Sequence, residues 1–123
     1  MSHFTRIRTQ LRDLQVLRRS LTDLGYSLTE GNVVGYGGQH TQTDLVVKQD
    51  NGPEIGFRKE GQQIVLVADF WGSTINRDEF LGKVCQRYAY LTVLEQTSSQ
   101  GWQSVAEEVQ PDGSIRLVMQ RWK

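Results

Sequence analysis

The feature that most constrains the fold is a continuous apolar run at residues 64–70, Ile-Val-Leu-Val-Ala-Asp-Phe. A strand with one wet face alternates apolar and polar residues, whereas a continuous short run bounded by turns is typical of a strand covered on both faces. Gly61 provides the turn before it. We therefore expect residues 64–70 to form the central, most buried strand of a sheet.

The first helix is expected between Asp13 and Gly25. Asp13 can accept hydrogen bonds from the free N–H groups of a first helical turn, and glycine is favoured just after a helix end. Between them, leucines recur at helical spacing: Leu14, Leu17, Leu21 and Leu24.

The second helix is expected to begin at Asn76 and to end at Gly101. Asp78 and Glu79 fall in its first turn, where negative charge interacts favourably with the helix dipole. Apolar side chains follow at helical spacing and form its predicted buried stripe: Phe80, Val84, Tyr88, Leu91 and Leu94.

Strand patterns fill the rest of the chain, at residues 4–11, 26–34, 45–49, 55–58, 64–70, 102–109 and 115–122. The turn signal Glu30-Gly31-Asn32 interrupts the 26–34 segment. The last two flank a Pro111-Asp112-Gly113 turn and form a hairpin with Ile115, Leu117 and Met119 on one face. The predicted fold is one α+β domain over residues 1–123, an antiparallel sheet with two long helices packed on it. The order of elements is β-α-β-β-β-β-α-β-β.

The two ends of that order look alike, since each half contains strand, helix, strand, strand. A pseudo-duplicated βαββ arrangement is therefore a hypothesis, although no sequence repeat supports it. It requires the first and last strands to lie in related sheets.

Charge and cysteine content exclude several kinds of protein. Lysine plus arginine and aspartate plus glutamate balance at 14 each, whereas nucleic-acid binders usually carry a basic excess. Cys85 is the single cysteine and the two histidines lack metal-ligand spacing, so we expect no metal and no cofactor. No apolar run approaches the length of a membrane span.

A glycine-rich stretch, residues 35–38, with Tyr36 and Gln39, is one candidate site. Glycine-rich loops can bring backbone N–H groups close to a phosphate. This one lacks the lysine-serine ending of a phosphate-binding loop and does not lead into a helix. The second interpretation is a connection or bulge between strands.

The strongest candidate site combines Asp69 and Trp71, where the buried strand ends, with Arg87 and Tyr88 on the second helix. A few convergent polar groups in an apolar cleft are typical of a binding site. The structural interpretation is that Trp71 covers the edge of the core and that Arg87 pairs with Asp69.

A basic outer face is the third candidate, with Arg6, Arg8 and Arg12 alternating outward on the first strand. Such a face could meet an acidic protein, a membrane surface or RNA. The alternative is a solvated face whose charge discourages edge pairing. These arginines fit strand and helix patterns, which disfavours a cleaved transit peptide.

Several segments together resemble the hypothetical chloroplast reading frame thirty-five family of cyanobacteria and algal plastids. They are Met1-Ser2-His3-Phe4, Leu24-Gly25, Ile55-Gly56-Phe57, Val67-Ala68-Asp69-Phe70-Trp71-Gly72, Gln86-Arg87-Tyr88-Ala89, Asp112-Gly113-Ser114-Ile115-Arg116-Leu117 and Arg121-Trp122. The resemblance runs from end to end and implies a cyanobacterial cytoplasmic or stromal protein. It transfers no catalytic residue.

The leading functional hypothesis is a non-enzymatic accessory protein that supports photosynthesis by binding an unknown protein partner. The first alternative is a small-molecule or cofactor-binding domain that uses a cleft near Trp71, Arg87 and Tyr88. RNA binding through the arginine face is the second alternative, and the balanced charge disfavours it.

Overall fold

The computed structural model describes residues 4–49, 53–70 and 76–121, and within them two helices and nine strands. The helices are α1 (Leu14–Asp23) and α2 (Arg77–Ser99). The strands are β1 (Thr5–Arg8), β2 (Ser27–Thr29), β3 (Asn32–Val34), β4 (His40–Gln42), β5 (Leu45–Lys48), β6 (Ile55–Glu60), β7 (Gln63–Ala68), β8 (Trp102–Val109) and β9 (Ile115–Arg121).

The main sheet has five strands in the order β1-β7-β6-β5-β2, and every pair is antiparallel. The α+β class is therefore confirmed. The described residues between the helices form six strands rather than the predicted four. The 26–34 segment divides at its Glu30-Gly31-Asn32 turn signal into β2 and β3, and β4 (His40–Gln42) follows the glycine-rich stretch, where no strand was predicted. The expectation for residues 64–70 is confirmed in burial, since Ile64 to Ala68 are at most 3% exposed. The middle position of the sheet, however, belongs to β6.

Both helices begin and end where the capping residues predict. The Asp13 carboxylate accepts from Gln15 N at 2.8 Å, and the Asn76 amide oxygen accepts from Glu79 N at 3.0 Å. Gly25 has φ +91°, and the next N–H, of Tyr26, donates to the Leu21 carbonyl at 3.1 Å. Together with the hydrogen bond from Gly25 N to the Thr22 carbonyl, at 3.0 Å, it forms a Schellman motif. This motif ends α1 and satisfies carbonyls that a helix end leaves without partners.

Both helices cover one face of the sheet, here called the helix face. Leu17 and Leu21 of α1 and Phe80 and Val84 of α2 pack in one cluster with alternate residues of the strands. Those strand residues are Leu45, Val47, Ile55, Phe57, Ile64, Leu66 and Ala68. This cluster is the larger core, and it accounts for every second residue of the apolar run in β7, namely Ile64, Leu66 and Ala68.

The other face of the sheet carries a second, smaller core that sequence reasoning missed. β3 and β4 pair as a hairpin that lies over this face, and Val33 packs there with Val46, Val65 and Val67. A Cβ atom on Gly56 would lie 2.9 Å from the Val33 Cβ and 2.6 Å from Thr43 Cγ2, so only glycine leaves room for the hairpin. The other residues of the β7 run, Val65 and Val67, are apolar because they lie under this hairpin.

The last two strands form a separate two-stranded sheet, here called the ribbon. Its turn is closed by Gln110 N donating to the Ser114 carbonyl at 2.7 Å, as the Pro111-Asp112-Gly113 signal predicts. β1 therefore lies in the five-stranded sheet and β9 in the ribbon, so the pseudo-duplicated βαββ hypothesis is wrong. The long-range pairing of β1 with β7 breaks the symmetry that the order of elements implied.

Candidate functional site

A groove of about 730 Å³ lies between the outer side of α2 and the ribbon. One wall is helical, with residues at spacings of three and four along α2: Glu79, Gly82, Lys83, Gln86, Ala89, Tyr90 and Val93. The other wall is the ribbon and its turn: Asp112, Gly113, Ser114, Ile115 and Leu117. Because these walls are more than 20 residues apart in sequence along most of their length, local patterns do not reveal the groove.

The floor and walls of the groove are mainly apolar. Ala89 and Val93 contribute from α2, and Ile115 and Leu117 contribute from β9. Val93 is 42% exposed, and the two β9 side chains are partly exposed. The ribbon therefore covers the outer side of α2 incompletely and leaves apolar surface open on both walls.

Charged groups lie at the ends of the groove. At the turn end, Lys83 Nζ pairs with Glu79 Oε1 at 3.3 Å. Asp112 accepts from the Ser114 hydroxyl at 2.6 Å and from its N–H at 2.9 Å. These two hydrogen bonds, the hydroxyl's first, lower the pKa of Asp112, so its carboxylate is charged at neutral pH.

Tyr90 closes the other part of the groove by donating its hydroxyl hydrogen to Glu107 on β8. This hydrogen bond to a carboxylate, with desolvation next, raises the pKa of Tyr90, so the phenol stays protonated at neutral pH. The Arg87 guanidinium lies 4.6 Å from the centre of the Tyr90 ring, within the range of a cation–π contact.

The structure separates two of the predicted site residues, Asp69 and Arg87. Arg87 pairs with Asp23 of α1 at 3.1 Å, and no ion pair joins it to Asp69 among the described residues. Asp69 is 2% exposed and lies on the face under the β3–β4 hairpin, where a Cβ atom on Gly35 would be 3.1 Å away. The expected Arg87–Asp69 pair is therefore wrong, because the two side chains belong to opposite faces of the sheet. Trp71 lies outside the described residues.

Tyr88 has a structural contact that sequence reasoning missed. Its hydroxyl oxygen accepts from the backbone N–H of Asp13 at 3.0 Å and from that of Arg12 at 3.2 Å. The same side chain packs against the larger core. Tyr88 thus fastens α2 to the start of α1, and its role in ligand binding stays a prediction.

The glycine-rich stretch forms one short 3₁₀ turn, Tyr36–Gly38, between β3 and β4. Gly35 N donates to the Gln39 carbonyl at 2.8 Å, and the Gln39 side chain is exposed. The stretch therefore connects the strands of the hairpin, as the second interpretation held. A binding role for Tyr36 and Gln39 stays a prediction.

The basic face in the structure differs in its residues from the predicted one. Arg6 and Arg8 are exposed on one side of β1, but the strand ends at Arg8, so Arg12 is not part of that face. Across β7, the register brings Arg58 of β6 into line with Arg8. The cluster of Arg6, Arg8 and Arg58 shares one carboxylate, that of Glu60.

No cluster of three or more histidine, cysteine, aspartate or glutamate residues in the described ranges has a geometry that could hold a metal ion. Cys85 is exposed, and partial desolvation raises the pKa of its thiol. Neither described helix has the combination of length and apolar character that a membrane span needs.

Comparison with known proteins identifies the family. A family described as "Protein of unknown function (DUF1257)" matches residues 20–118, which include both walls of the groove. The chain belongs to the DUF1257 family. No solved structure matches it significantly.

Curated relatives of this DUF1257 chain carry the name "Uncharacterized protein ycf35". The chain is 41% identical to the protein of Pyropia yezoensis over 127 residues, covering 99% of the chain and 98% of the relative. It is 40% identical to that of Guillardia theta and 36% identical to that of Cyanophora paradoxa, each covering 100% of the chain and 99% of the relative. These relatives come from algal plastids, so the resemblance seen in the sequence is confirmed.

Proposed function

We propose that the protein is a non-catalytic accessory protein that binds a segment of a partner protein in the groove between α2 and the ribbon. The observation that carries this proposal is the open apolar surface on both walls, from Val93 on α2 and from Ile115 and Leu117 on β9. Apolar surface that the chain leaves uncovered between polar ends is typical of an interaction site.

The ionisable groups of the groove fit binding better than proton transfer. Acid–base catalysis at neutral pH is most efficient with a pKa near the operating pH. The pKa of Asp112 is lowered and that of Tyr90 is raised, so both shifts move the groups away from neutrality.

The charges around the groove indicate the chemistry of the partner segment. Glu79 and Asp112 line the groove, and Glu107 lies beside it as the partner of the lining residue Tyr90. The cations near these three carboxylates are already paired, Lys83 with Glu79 and the Tyr90-stacked Arg87 with Asp23. A complementary segment has apolar side chains in its middle and lysine or arginine at its ends. We therefore expect a basic amphipathic segment of another protein as the occupant.

The setting of the relatives supports a role in photosynthesis. Proteins of the same family and nearly the same length come from algal plastids. We place this protein in the stroma of a plastid or in the cytoplasm of a cyanobacterium. Deleting its gene in a cyanobacterium that also grows on sugar should slow growth in light on carbon dioxide and leave growth on sugar unchanged. Equal growth of the deletion strain under both conditions would contradict this role.

A pair of matched valine variants tests the groove itself. Val93 is 42% exposed on its α2 wall, and Val118 is 46% exposed on the side of the ribbon that faces away from Leu117. Val93→Arg should place a cation and steric bulk in the groove, whereas Val118→Arg should leave it free. Both are exposed substitutions, so each should change the free energy of unfolding by no more than about 0.5 kcal/mol.

The measurement is affinity capture from a photosynthetic lysate, with quantitative mass spectrometry of the captured proteins. A partner in this groove is retained by the wild-type chain and by Val118→Arg and is lost from Val93→Arg. Synthetic peptides of that partner should then locate a segment with the expected basic ends. Equal capture by both variants, or a partner segment with acidic ends, would contradict the proposal.

The size of the groove favours one second candidate, a small apolar molecule or cofactor. Ligand pockets commonly enclose roughly 300–1,000 Å³, and the groove encloses about 730 Å³. Arg87, one of the residues predicted to form a ligand cleft, lies beside the groove because it stacks on the lining residue Tyr90. A thermal-shift screen with metabolites separates the candidates, because a ligand at 100 times its Kd stabilises by about 2.7 kcal/mol. Stabilisation by a metabolite that Val93→Arg abolishes would favour this candidate.

A further inference from the structure

The open part of the sheet face beside the β3–β4 hairpin carries a cluster of guanidinium groups. Arg8, Val65 and Arg58 face one another in register across β1, β7 and β6, so all three side chains lie on one side of the sheet. Arg6 lies two residues before Arg8 on the same side. Adjacent strands are about 4.8 Å apart, so the Cα atoms of Arg8 and Arg58 lie roughly 10 Å apart, with buried Val65 between them.

Among the residues that the structure describes, Glu60 provides the one carboxylate of this cluster. Its Oε2 atom accepts from Arg58 Nε at 2.9 Å, from Arg58 Nη2 at 2.6 Å and from Arg6 Nη2. The hydrogen bonds from Arg58, followed by the charges of Arg6 and Arg58, lower the pKa of Glu60, so it is anionic at neutral pH. Three guanidinium groups therefore share one negative charge.

Arg58 is held in position before any ligand arrives. Its Nη1 atom donates to the Gln42 carbonyl at 3.1 Å, and its side chain is 26% exposed. The Arg8 side chain makes no hydrogen bond or ion pair with another described residue, and its charge also acts on Glu60. Arg58 is therefore fixed by Glu60 and Gln42, and Arg6 pairs with Glu60. The Arg8 side chain is free to contact a ligand.

The geometry points to a phosphate site, and we propose that this cluster binds the terminal phosphoryl group of a small phosphorylated metabolite, or inorganic phosphate, in the position that the Glu60 carboxylate occupies. One carboxylate oxygen receives three N–H groups, which is more than its lone pairs accommodate well. A phosphoryl group offers three terminal oxygens, one for each arginine, and arginine forks match that geometry. Glu60 ends β6 next to the Gly61 turn, so its side chain can turn into solvent when displaced.

The number of oxygens also separates this ligand from a nucleic-acid backbone. A backbone phosphodiester has two free oxygens and one negative charge, whereas a phosphate monoester has three free oxygens and a charge of about −1.5 to −2 at pH 7. Three converging arginines favour the monoester. This site is separate from the groove and stands independently of the partner proposed for it.

The test is isothermal titration calorimetry of the full chain with inorganic phosphate, glucose 6-phosphate and AMP at constant ionic strength. Glu60→Gln removes the resident charge and should tighten phosphate binding by about tenfold, because the ligand no longer displaces a carboxylate from Arg6 and Arg58. Arg58→Gln in that background should abolish binding. Arg18→Gln removes an arginine that pairs with Glu30 elsewhere, and it should bind phosphate like the wild type.

Arg8→Gln in the otherwise unchanged chain gives a test that leaves the Arg58–Glu60 pair intact, and it should weaken binding severalfold. Equal binding of the three probes would identify phosphate itself as the ligand, and preferential binding of one ester would identify its class. The proposal fails if Glu60→Gln does not tighten binding or if Arg8→Gln and Arg18→Gln behave alike. Binding of a 12-nucleotide RNA without binding of any small phosphate would also overturn it.

Discussion

The apolar residues on the two sides of α2 are buried to different extents. On the side that faces the sheet, Phe80, Val84 and Leu91 are at most 5% exposed. On the side that faces the ribbon, Val93 is 42% exposed, although it lies only two residues beyond Leu91. The first side packs against a five-stranded sheet and the second against a two-stranded ribbon, which is too narrow to cover it. The same helix therefore builds the core with one side and offers a surface with the other.

The largest effect is expected on the sheet side, for Phe80→Ala. The Phe80 ring packs edge-on against Tyr26, with centroids 5.4 Å apart, and stacks with Phe57 at 6.4 Å. Removal of the ring should lower the free energy of unfolding by about 3–5 kcal/mol, because the surrounding side chains relax only partly into the cavity that it leaves. Urea denaturation followed by circular dichroism measures this. A loss below about 1 kcal/mol would show that the sheet side is as loosely packed as the groove side.

A smaller effect is expected for Tyr88→Phe. The ring still packs against the core, but the hydroxyl that accepts the N–H groups of Arg12 and Asp13 is gone. We expect a loss of about 0.5–1.5 kcal/mol, the usual contribution of such hydrogen bonds. Amide exchange of the Asp13 N–H should also become faster. An unchanged exchange rate would mean that Tyr88 does not fasten α2 to the start of α1.

A still smaller effect is expected on the groove side, for Leu117→Ala. Leu117 is partly exposed in the free protein, so truncation removes little buried area. The free energy of unfolding should fall by no more than about 1 kcal/mol. Binding of the partner segment should weaken more than stability does, as measured by titration of the captured peptide. A stability loss equal to that of Phe80→Ala would erase the difference between the two sides.

The smallest effect concerns Tyr90, which joins the two walls of the groove. Its pKa is raised by the hydrogen bond to Glu107, so Glu107→Ala should move that pKa back towards about 10. Since the folded-state pKa is the higher one, the hydrogen bond stabilises the fold at neutral pH, and this contribution is lost as pH rises through the pKa of Tyr90. Ultraviolet absorbance during an alkaline titration, compared with a Tyr90→Phe control, follows the change.

Local signals predicted the elements well. Asp13, Asn76 and Gly25 cap helices through groups that lie within four residues of them, so the sequence contains both halves of each interaction. The unbroken apolar character of β7 correctly indicated burial on both faces. It did not reveal that helices cover one face and the β3–β4 hairpin covers the other.

Features that depend on long-range pairing were not predictable from one sequence. Arg58 joins Arg8 only through the register of both strands with β7, 50 residues along the chain from Arg8 to Arg58. The groove lies between the ribbon and small, exposed residues of α2, such as Gly82 and Ala89, whose spacing gives no strong apolar stripe. Asp69 follows β7 directly and Arg87 lies on α2, the next element along the chain, but alternation along the strand places Asp69 on the face opposite the helices.

The β3–β4 hairpin leaves and rejoins the five-stranded sheet between two strands that pair with each other, β2 and β5. It can therefore lift from Val46, Val65 and Val67 without breaking a backbone hydrogen bond between the strands of that sheet. It would lose the side-chain hydrogen bonds from Arg58 to the Gln42 carbonyl and from Val34 N to Glu54. Such a segment forms its own unit of native-state opening, with a free energy below that of global unfolding. Hydrogen exchange in β3 and β4 should accordingly proceed through this partial opening, while exchange in β6 and β7 waits for the whole sheet to unfold.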